Sequence, residues 1–472
     1  MAAGFRQLIP SGFFDTPAMR NALGQYDFGI IFQAILEQTG LSQFRLAELV
    51  GLTQSRVSAV VRGERSITGL SVAARISTAF GIPPRLLGFY VEPSSLTPEE
   101  VSWVDRRDFI TVATVAALGS GLHAELDRLG GLLPRSLKPV TRKRIGVKDV
   151  EAIESVTAGY RRWDLEHGSG LCRDAALVQL HEVLGYEHAE CSDDLRPRLW
   201  VATAELASMT GWLAYDIEDH DAARRLWTYA LWAAYQGQDH PRSTDLSVNV
   251  LLDMAHQALH LWRPAWEPPD AEAQRWQKQR LDEALRCAQT AAATASTRRH
   301  PATQLTAGYT AAVTAWCFAA RGDARAMERA IGQSEDLYAE ADLRNMPPWA
   351  SFVTDAEIRA QKGHSAYLLS TSNREFAPRA VDLLSVAVDG HVQEHARSRA
   401  VTLPPLAGAY LQAGDYDTAA AYCAKAIREI NGMTSQRCYT RLRDLDRIAT
   451  QYDHSSTVSA MRAEISETLR AA

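Results

Sequence analysis

No CxxC pair occurs in the 472 residues, and the six cysteines (Cys172, Cys191, Cys287, Cys317, Cys423, Cys438) stand singly along the chain. Such spacing argues against a zinc cluster or a thioredoxin-type motif, offers no disulfide scaffold, and points to a reducing, cytoplasmic setting. Long hydrophobic runs are missing as well. The nearest candidate, RRDFITVATVAALGSGL over 106–122, has a twin-arginine look. Its apolar part is too short to cross a bilayer, and it follows a complete upstream domain, so it reads as a buried helix with no membrane partner. The opening MAAGFRQLIPSGFFDTP lacks the basic start and continuous apolar run of a signal peptide.

Catalytic signatures are equally scarce. There is no P-loop, no dinucleotide fingerprint and no GxSxG elbow. His256 and His260 are four apart on a predicted helix, as are His391 and His395, but neither pair encloses the HExxH pattern and no third ligand is evident. No metal, no cofactor and no enzymatic activity are expected. Only 6 of the 50 basic residues are Lys, an Arg bias that, with the abundant Ala, fits GC-rich coding and carries no functional signal.

What is present is helical punctuation. Apolar residues recur at three- and four-residue spacing between Pro and Gly, without two-residue alternation or an NG or DG hairpin pair, so the chain reads as all-α. At about 150 residues per domain the length suggests about three units. The pattern divides it into 1–90, with compact short helices; 91–150, running from VEPSSLTPEE to PRSLKPVTRKRIGVK; and 151–472, Ala-rich and helical throughout. Net charge is −6 overall, but 28–90 carries six Arg against three Glu, a local +3 that suits phosphate contact. The basic run at Arg135, Lys138, Arg142, Lys143, Arg144 and Lys148 reads as a solvated connector or as a contact to flanking DNA.

The densest local signal is QFRLAELVGLTQSRVSAVVR over 43–62. Ser42 can cap a first helix whose inner face is Leu46, Ala47 and Val50. Gly51 suits a left-handed corner, Leu52 plugs the turn, Thr53 caps the next helix, and Val57 and Val60 anchor it. Two helices crossing steeply through a tight turn need a small residue at the contact, glycine at the corner and aliphatic anchors beyond it.

This phrase resembles the lambda-repressor-like (Xre/Cro) helix-turn-helix family over about 28–90. By that resemblance, 28–38, 43–50 and 54–62 are the first, second and recognition helices, SVAARISTAFG is a fourth and PPRLLGFY opens a fifth. The recognition helix of such domains enters the major groove, which assigns Thr53, Gln54, Ser55 and Ser58 to the groove face. Gln54 has the chemistry to bond an adenine edge and Ser55 either base type; Arg56 could reach a base or a phosphate. Gln43 looks like a backbone-phosphate contact, with Arg62 and Arg65 as phosphate clamps. The competing reading is a fold retained for protein contacts.

In the long C-terminal region, LAGAYLQAGDYDTAAAYCAKAI over 406–427 puts Ala407, Tyr410, Gly414, Asp415, Tyr416, Ala419 and Ala426 at the offsets of a tetratricopeptide repeat (TPR). Cys423 stands where a larger aromatic is usual. Partial copies lie around Gly211, Asp219, Ala223, Trp227 and Ala230; around Ala315, Phe318, Gly322 and Asp323; and around Ala284, Ala288 and Ala291. The expectation is a degenerate TPR-like α-superhelical stack over 151–472 following a small five-helix head. Such a stack makes a concave groove for a peptide, small molecule or protein. Asn249, with Tyr215 and Arg242 nearby in sequence, is the groove candidate, since an Asn there could bond both groups of a peptide backbone; an exposed or turn-bonding Asn is the plainer alternative.

The whole pattern is similar to large actinobacterial regulators that join an Xre-type head to a TPR-like sensor. That resemblance implies a cytoplasmic transcription regulator, a homodimer on an inverted DNA repeat, responding to an effector by a population shift. The alternative is a TPR interaction scaffold whose DNA binding is secondary.

Overall fold

A computed structural model describes residues 28–63 apart from 51, and 144–471 apart from 187–188, 263–269 and 297–299, with scattered positions at 9–23 and at 76, 80 and 82. The chain separates into two compact units, Met1–His123 and Ala124–Ala472. The 106–122 segment, the proposed fifth helix and most of the fourth lie outside the described residues, as do Gly51, Arg65 and the basic run before 144.

In the first unit, α1 (Phe28–Thr39), α2 (Gln43–Val50) and α3 (Gln54–Val61) pack around one apolar core. Phe28, Ile31, Phe32 and Ile35 repeat at helical spacing and are all buried, meeting Leu46, Ala47 and Val50 of α2 and Val57 and Val60 of α3. Ser42 Oγ accepts from Arg45 N at 3.2 Å, starting α2, and Leu52 N donates to Ala47 O at 2.9 Å, fastening the turn. Ile76, Phe80 and Ile82 complete this core. So do Phe14, Met19, Ala22 and Leu23, which lie upstream of the 28–90 stretch that carries the resemblance.

The second unit is a stack of antiparallel helix pairs. It begins with α4 (Val147–His167) and α5 (Arg173–Leu184), then α6 (Arg196–Asp216) with α7 (His220–Gln236), and α8 (Ser243–Leu261) with α9 (Ala271–Ala295). Next come α10 (Gln304–Ala320) with α11 (Ala324–Ala339), α12 (Asp355–Ser370) with α13 (Ala377–Gly390), α14 (Ala396–Ala413) with α15 (Tyr416–Ile430), and α16 (Gln436–Ala449) with α17 (Ser456–Ala471). Consecutive first helices from α6 to α16 touch one another and form an inner layer. They are buried round most of their circumference, whereas α11, α13 and α15 bury one stripe and show a charged face to solvent. The only strand-like feature among the described residues is an isolated bridge between Arg144 and Glu190.

Three pair turns follow one recipe. A left-handed residue ends the first helix and an Asp caps the second: Gly414 (φ 87°) with Asp415 accepting from Thr418 N, and Gly322 (φ 76°) with Asp323 accepting from Ala326 N. In the α6–α7 turn the left-handed position is Glu218 (φ 66°), a conformation costly for a residue with a Cβ. It is held by its side chain, which accepts from His260 Nε2 at 3.3 Å and from Thr440 Oγ1. Inside the pair, Gly211 lets the helices approach, since a Cβ there would lie 2.8 Å from the Trp227 ring. The expected repeat positions Ala284, Ala288, Ala291, Ala407, Ala419 and Ala426 are all fully buried. The α12–α13 and α16–α17 pairs have no counterpart in the sequence reading.

The stack closes on itself. Helix α4 packs against α14, Thr434 N donates to His167 O and Gly170 N to Thr434 O, both at 3.0 Å, and Ser435 Oγ donates to Asp216 Oδ1 at 3.0 Å. In place of the open concave groove expected from sequence, the first helices line a narrow interior rich in polar side chains.

Candidate functional site

Helix α3 presents the outward surface of the first unit. Thr53 Oγ1 accepts from Arg56 N at 3.3 Å, fixing the first turn. With Val57 and Val60 committed to the core, the period of the helix turns Gln54, Ser55 and Arg56 to solvent and leaves Ser58 half-buried on the same side. Thr53 and Ser55 hydroxyls lie 3.1 Å apart, and Arg62 Nη1 donates to Ser58 Oγ at 2.7 Å, drawing the arginine back along the helix. Thr53, Gln54, Ser55, Ser58 and Arg62 thus share one surface. Gln43 is half-exposed at the start of α2. Arg45 beside it is paired with Glu48 at 2.6 Å, so its charge is largely spent locally. Phe44, next to Gln43, is 62% exposed, an aromatic that sequence reasoning passed over. Its signal was a large apolar residue out of phase with the Leu46, Ala47, Val50 face.

The second unit holds its chemistry inside. Arg397 Nη2 meets Asp164 at 3.0 Å and Nη1 lies 3.8 Å from Asp216, while its ring-facing side sits over Trp212 at 5.2 Å. Asp164 is further held by Ser169 Oγ (2.6 Å) and Trp212 Nε1 (3.0 Å). Arg437 lies 3.3 Å from Asp216 and is stacked between Trp212 and Tyr215. Nearby, Arg161 binds Glu205 at 2.6 Å; between α7 and α9, Glu283 takes both Arg224 (2.5 Å) and Arg280 (2.8 Å). All these charges are buried, which is tolerable only because each is paired.

Two small adjoining cavities lie in this interior. One, of about 60 Å³, is bordered by Asn249, Asp253 and Arg161; the other, of about 70 Å³, by Tyr309, Glu357, Gln361 and Arg441; Trp212, Phe352 and Arg397 border both. Of the three groove candidates, Asn249 and Tyr215 reach these cavities, one each. Arg242 does not: it is exposed at the N-cap of α8. Tyr215 is buried with its hydroxyl donating to His256 O at 3.3 Å. The Asn249 amide donates to Asp253 at 3.2 Å, within its own helix. Sequence reasoning missed Arg397, Arg437, Arg441, Glu357 and Gln361. Their signal was polar side chains at inner positions of helices otherwise lined with Ala and Leu.

The histidine pairs diverge. His256 Nδ1 lies 2.9 Å from Leu252 O, while His260 turns to Glu218. His391 and His395 are not on one helix as the sequence suggested: α13 ends at Gly390, and Gln393–His395 forms a single 3-10 turn. Among the described residues no group of three metal-ligating side chains is close enough to hold an ion.

Burial, reinforced by Arg437, pulls the His256 pKa down to about 4, and burial pushes His364 well below its usual value too. A base depressed in the folded state contributes stability that is present above its unfolded pKa, near 6.5, and is lost as pH falls through the folded value. The urea midpoint of the second unit is therefore expected to fall between about pH 6.5 and about pH 4. The slope should flatten in His256→Phe, which keeps the ring contacts with Tyr309 and Trp316. A variant slope equal to wild type would show that His256 does not titrate in this way.

Comparison with known proteins matches residues 32–87 to HTH_3, a helix-turn-helix family. No curated protein matches the chain. Among solved structures, a circular tandem repeat protein with novel repeat topology and enhanced subunit contact surfaces shares 14% identity, over 99% of this chain and 96% of that one, with a TM-score of 0.19, a likeness too slight to bear on fold or function. No described helix is long and apolar enough to cross a membrane.

Proposed function

We propose that a chain carrying an HTH_3 helix-turn-helix at 32–87 is a sequence-specific transcription regulator of the Xre type, with 1–90 as the DNA-binding head, 91–150 as connector and 151–472 as a TPR-like sensor. The carrying observation is the α2–turn–α3 unit: its inner face is fully committed to the core and its outer face offers Thr53, Gln54, Ser55, Arg56 and Ser58. A helix so presented suits the major groove, with Gln54 and Ser55 directed to base edges and Gln43, Arg62 and Arg65 to phosphates. In this reading the protein is a cytoplasmic homodimer of the actinobacterial kind, holding two recognition helices about one DNA turn apart on an inverted repeat. The helical stack mediates dimerisation and binds the effector that shifts operator affinity.

The test is selection from random duplexes by the full chain, followed by competition against unselected DNA. The expected outcome is a pseudo-palindromic site bound about 10³-fold or more above random sequence. Absence of any preference removes the regulator reading and leaves a TPR scaffold, which capture of a partner by the helical stack would then support.

A further inference from the structure

The larger interior cavity carries three buried polar atoms without a hydrogen-bond partner: Arg437 Nε, which lies 3.3 Å from Asp216, Arg441 Nε and Gln361 Oε1. Arg441, stacked 5.7 Å over Trp316, has its Nε buried without a hydrogen-bond partner. Gln361, on α12, is 4% exposed; its Nε2 donates to Glu357 at 2.7 Å, while Oε1 makes no hydrogen bond of good geometry, His256 being the neighbour that acts on this amide. Buried polar groups are ordinarily paired, and leaving one unpaired is destabilising. The other two guanidinium groups of the cavity are occupied: Arg397 with Asp164, Arg437 with Asp216. Burial depresses the Arg441 pKa, although Asp444, one turn on in α16, partly offsets it. A cation destabilised by burial is relieved by an anion.

The cavity therefore offers, between aromatic walls, a cationic donor on Arg441 and an acceptor on Gln361 beside a carboxylate. We infer that this cavity binds a small zwitterion, a free α-amino acid with a short side chain, its carboxylate on Arg441 and its ammonium on Gln361 Oε1 and Glu357. The two adjoining volumes, about 70 Å³ and about 60 Å³, suit a ligand of a handful of heavy atoms. Tyr309 and Phe352, whose rings meet edge to face at 5.3 Å, offer the ammonium an aromatic surface. Within the regulator reading, on which its role as effector rests, this ligand bridges α12 and α16 and so stiffens the closed stack.

The experiment is calorimetric titration of the full chain with glycine, L-alanine and L-serine at up to about 10 mM, with propionate and ethylamine as L-alanine analogues lacking one charge each. At least one amino acid is expected to bind, and both analogues to bind about tenfold more weakly or not at all. Arg441→Gln and Gln361→Leu should each weaken binding by about tenfold or more, and the exposed Arg379→Ala should not. Should Arg441→Gln fail to fold, Glu357→Gln, which keeps the shape and removes the ammonium's partner, gives the same reading. Failure of all three amino acids overturns the inference, as does propionate matching L-alanine, which would mean an anion site only, or unaltered binding by the variants. Operator binding is measured on the same preparations. A chain that selects its operator but binds no amino acid retains the regulator reading and loses this one, and a chain that binds the amino acid but no operator does the reverse.

Discussion

Replacement of Arg397 by alanine is expected to cost the second unit about 3–5 kcal/mol, the range for removing one partner of a buried ion pair. The side chain is 5% exposed, reaches two buried carboxylates from α14, and also donates from Nε to the backbone carbonyl of Asp164. Its loss leaves Asp164 facing Asp216 with both carboxylates buried. Burial already pushes the Asp164 pKa up and Arg397 holds it down. In the variant the carboxyl takes up a proton more readily, so the penalty should be smaller at about pH 5 than at about pH 7.5. Urea unfolding of the full chain, followed by circular dichroism, measures the effect. The comparator is Arg379→Ala, which removes an ion pair with Glu328 whose two sides are 42% and 43% exposed and which should cost no more than about 1 kcal/mol. Equal costs in the two variants would mean that the closing contacts do not hold the stack.

The second large effect is on DNA. Gln54→Ala is expected to lower affinity for the selected operator by roughly tenfold to a hundredfold, the worth of one bidentate base contact, and to leave random-sequence binding unchanged. Arg56→Ala separates two geometries. A base contact makes the loss sequence-dependent; a phosphate contact weakens all duplexes alike and lowers the salt slope by about 1. Neither substitution disturbs the helix, because the Thr53 cap uses only the backbone N–H of Arg56. Competition titrations at two salt concentrations read both. An unchanged operator preference with both substitutions in place would remove Gln54 and Arg56 from the base-reading set.

The head was legible because its motif fixes residue type at many positions through local rules: a cap at Ser42, a cap at Thr53, and an inner face of Leu46, Ala47, Val50, Val57 and Val60. The pair turns at Gly322 and Gly414 were legible for the same reason. The turn at Glu218 disguises its left-handed residue, since the contacts that hold it come from His260 and Thr440, 42 and 222 positions away. The interior was legible only at Asn249 and Tyr215, the two groove candidates that border its cavities. Arg397, Arg437 and Asp216 look like ordinary surface charges until helices far apart in sequence are brought together, and only a closed stack does that. Sequence periodicity shows that a helix has an inner face; it does not show that the inner faces meet one another.

Closure also changes how such a chain must fold. In an open array each pair stabilises only its neighbours, so folding can start anywhere and proceed as the ribosome delivers each pair. Here the bond from Thr434 to His167 spans 267 positions, and joining points that far apart costs roughly 5 kcal/mol of chain entropy before any contact is gained. Until α14 and α16 have emerged, Asp164 and Asp216 lack the arginines that pair with them in the finished stack. The array thereby gives up the modularity of a repeat protein for the all-or-none behaviour of a single domain, with the last-made helices deciding when the first-made ones become native.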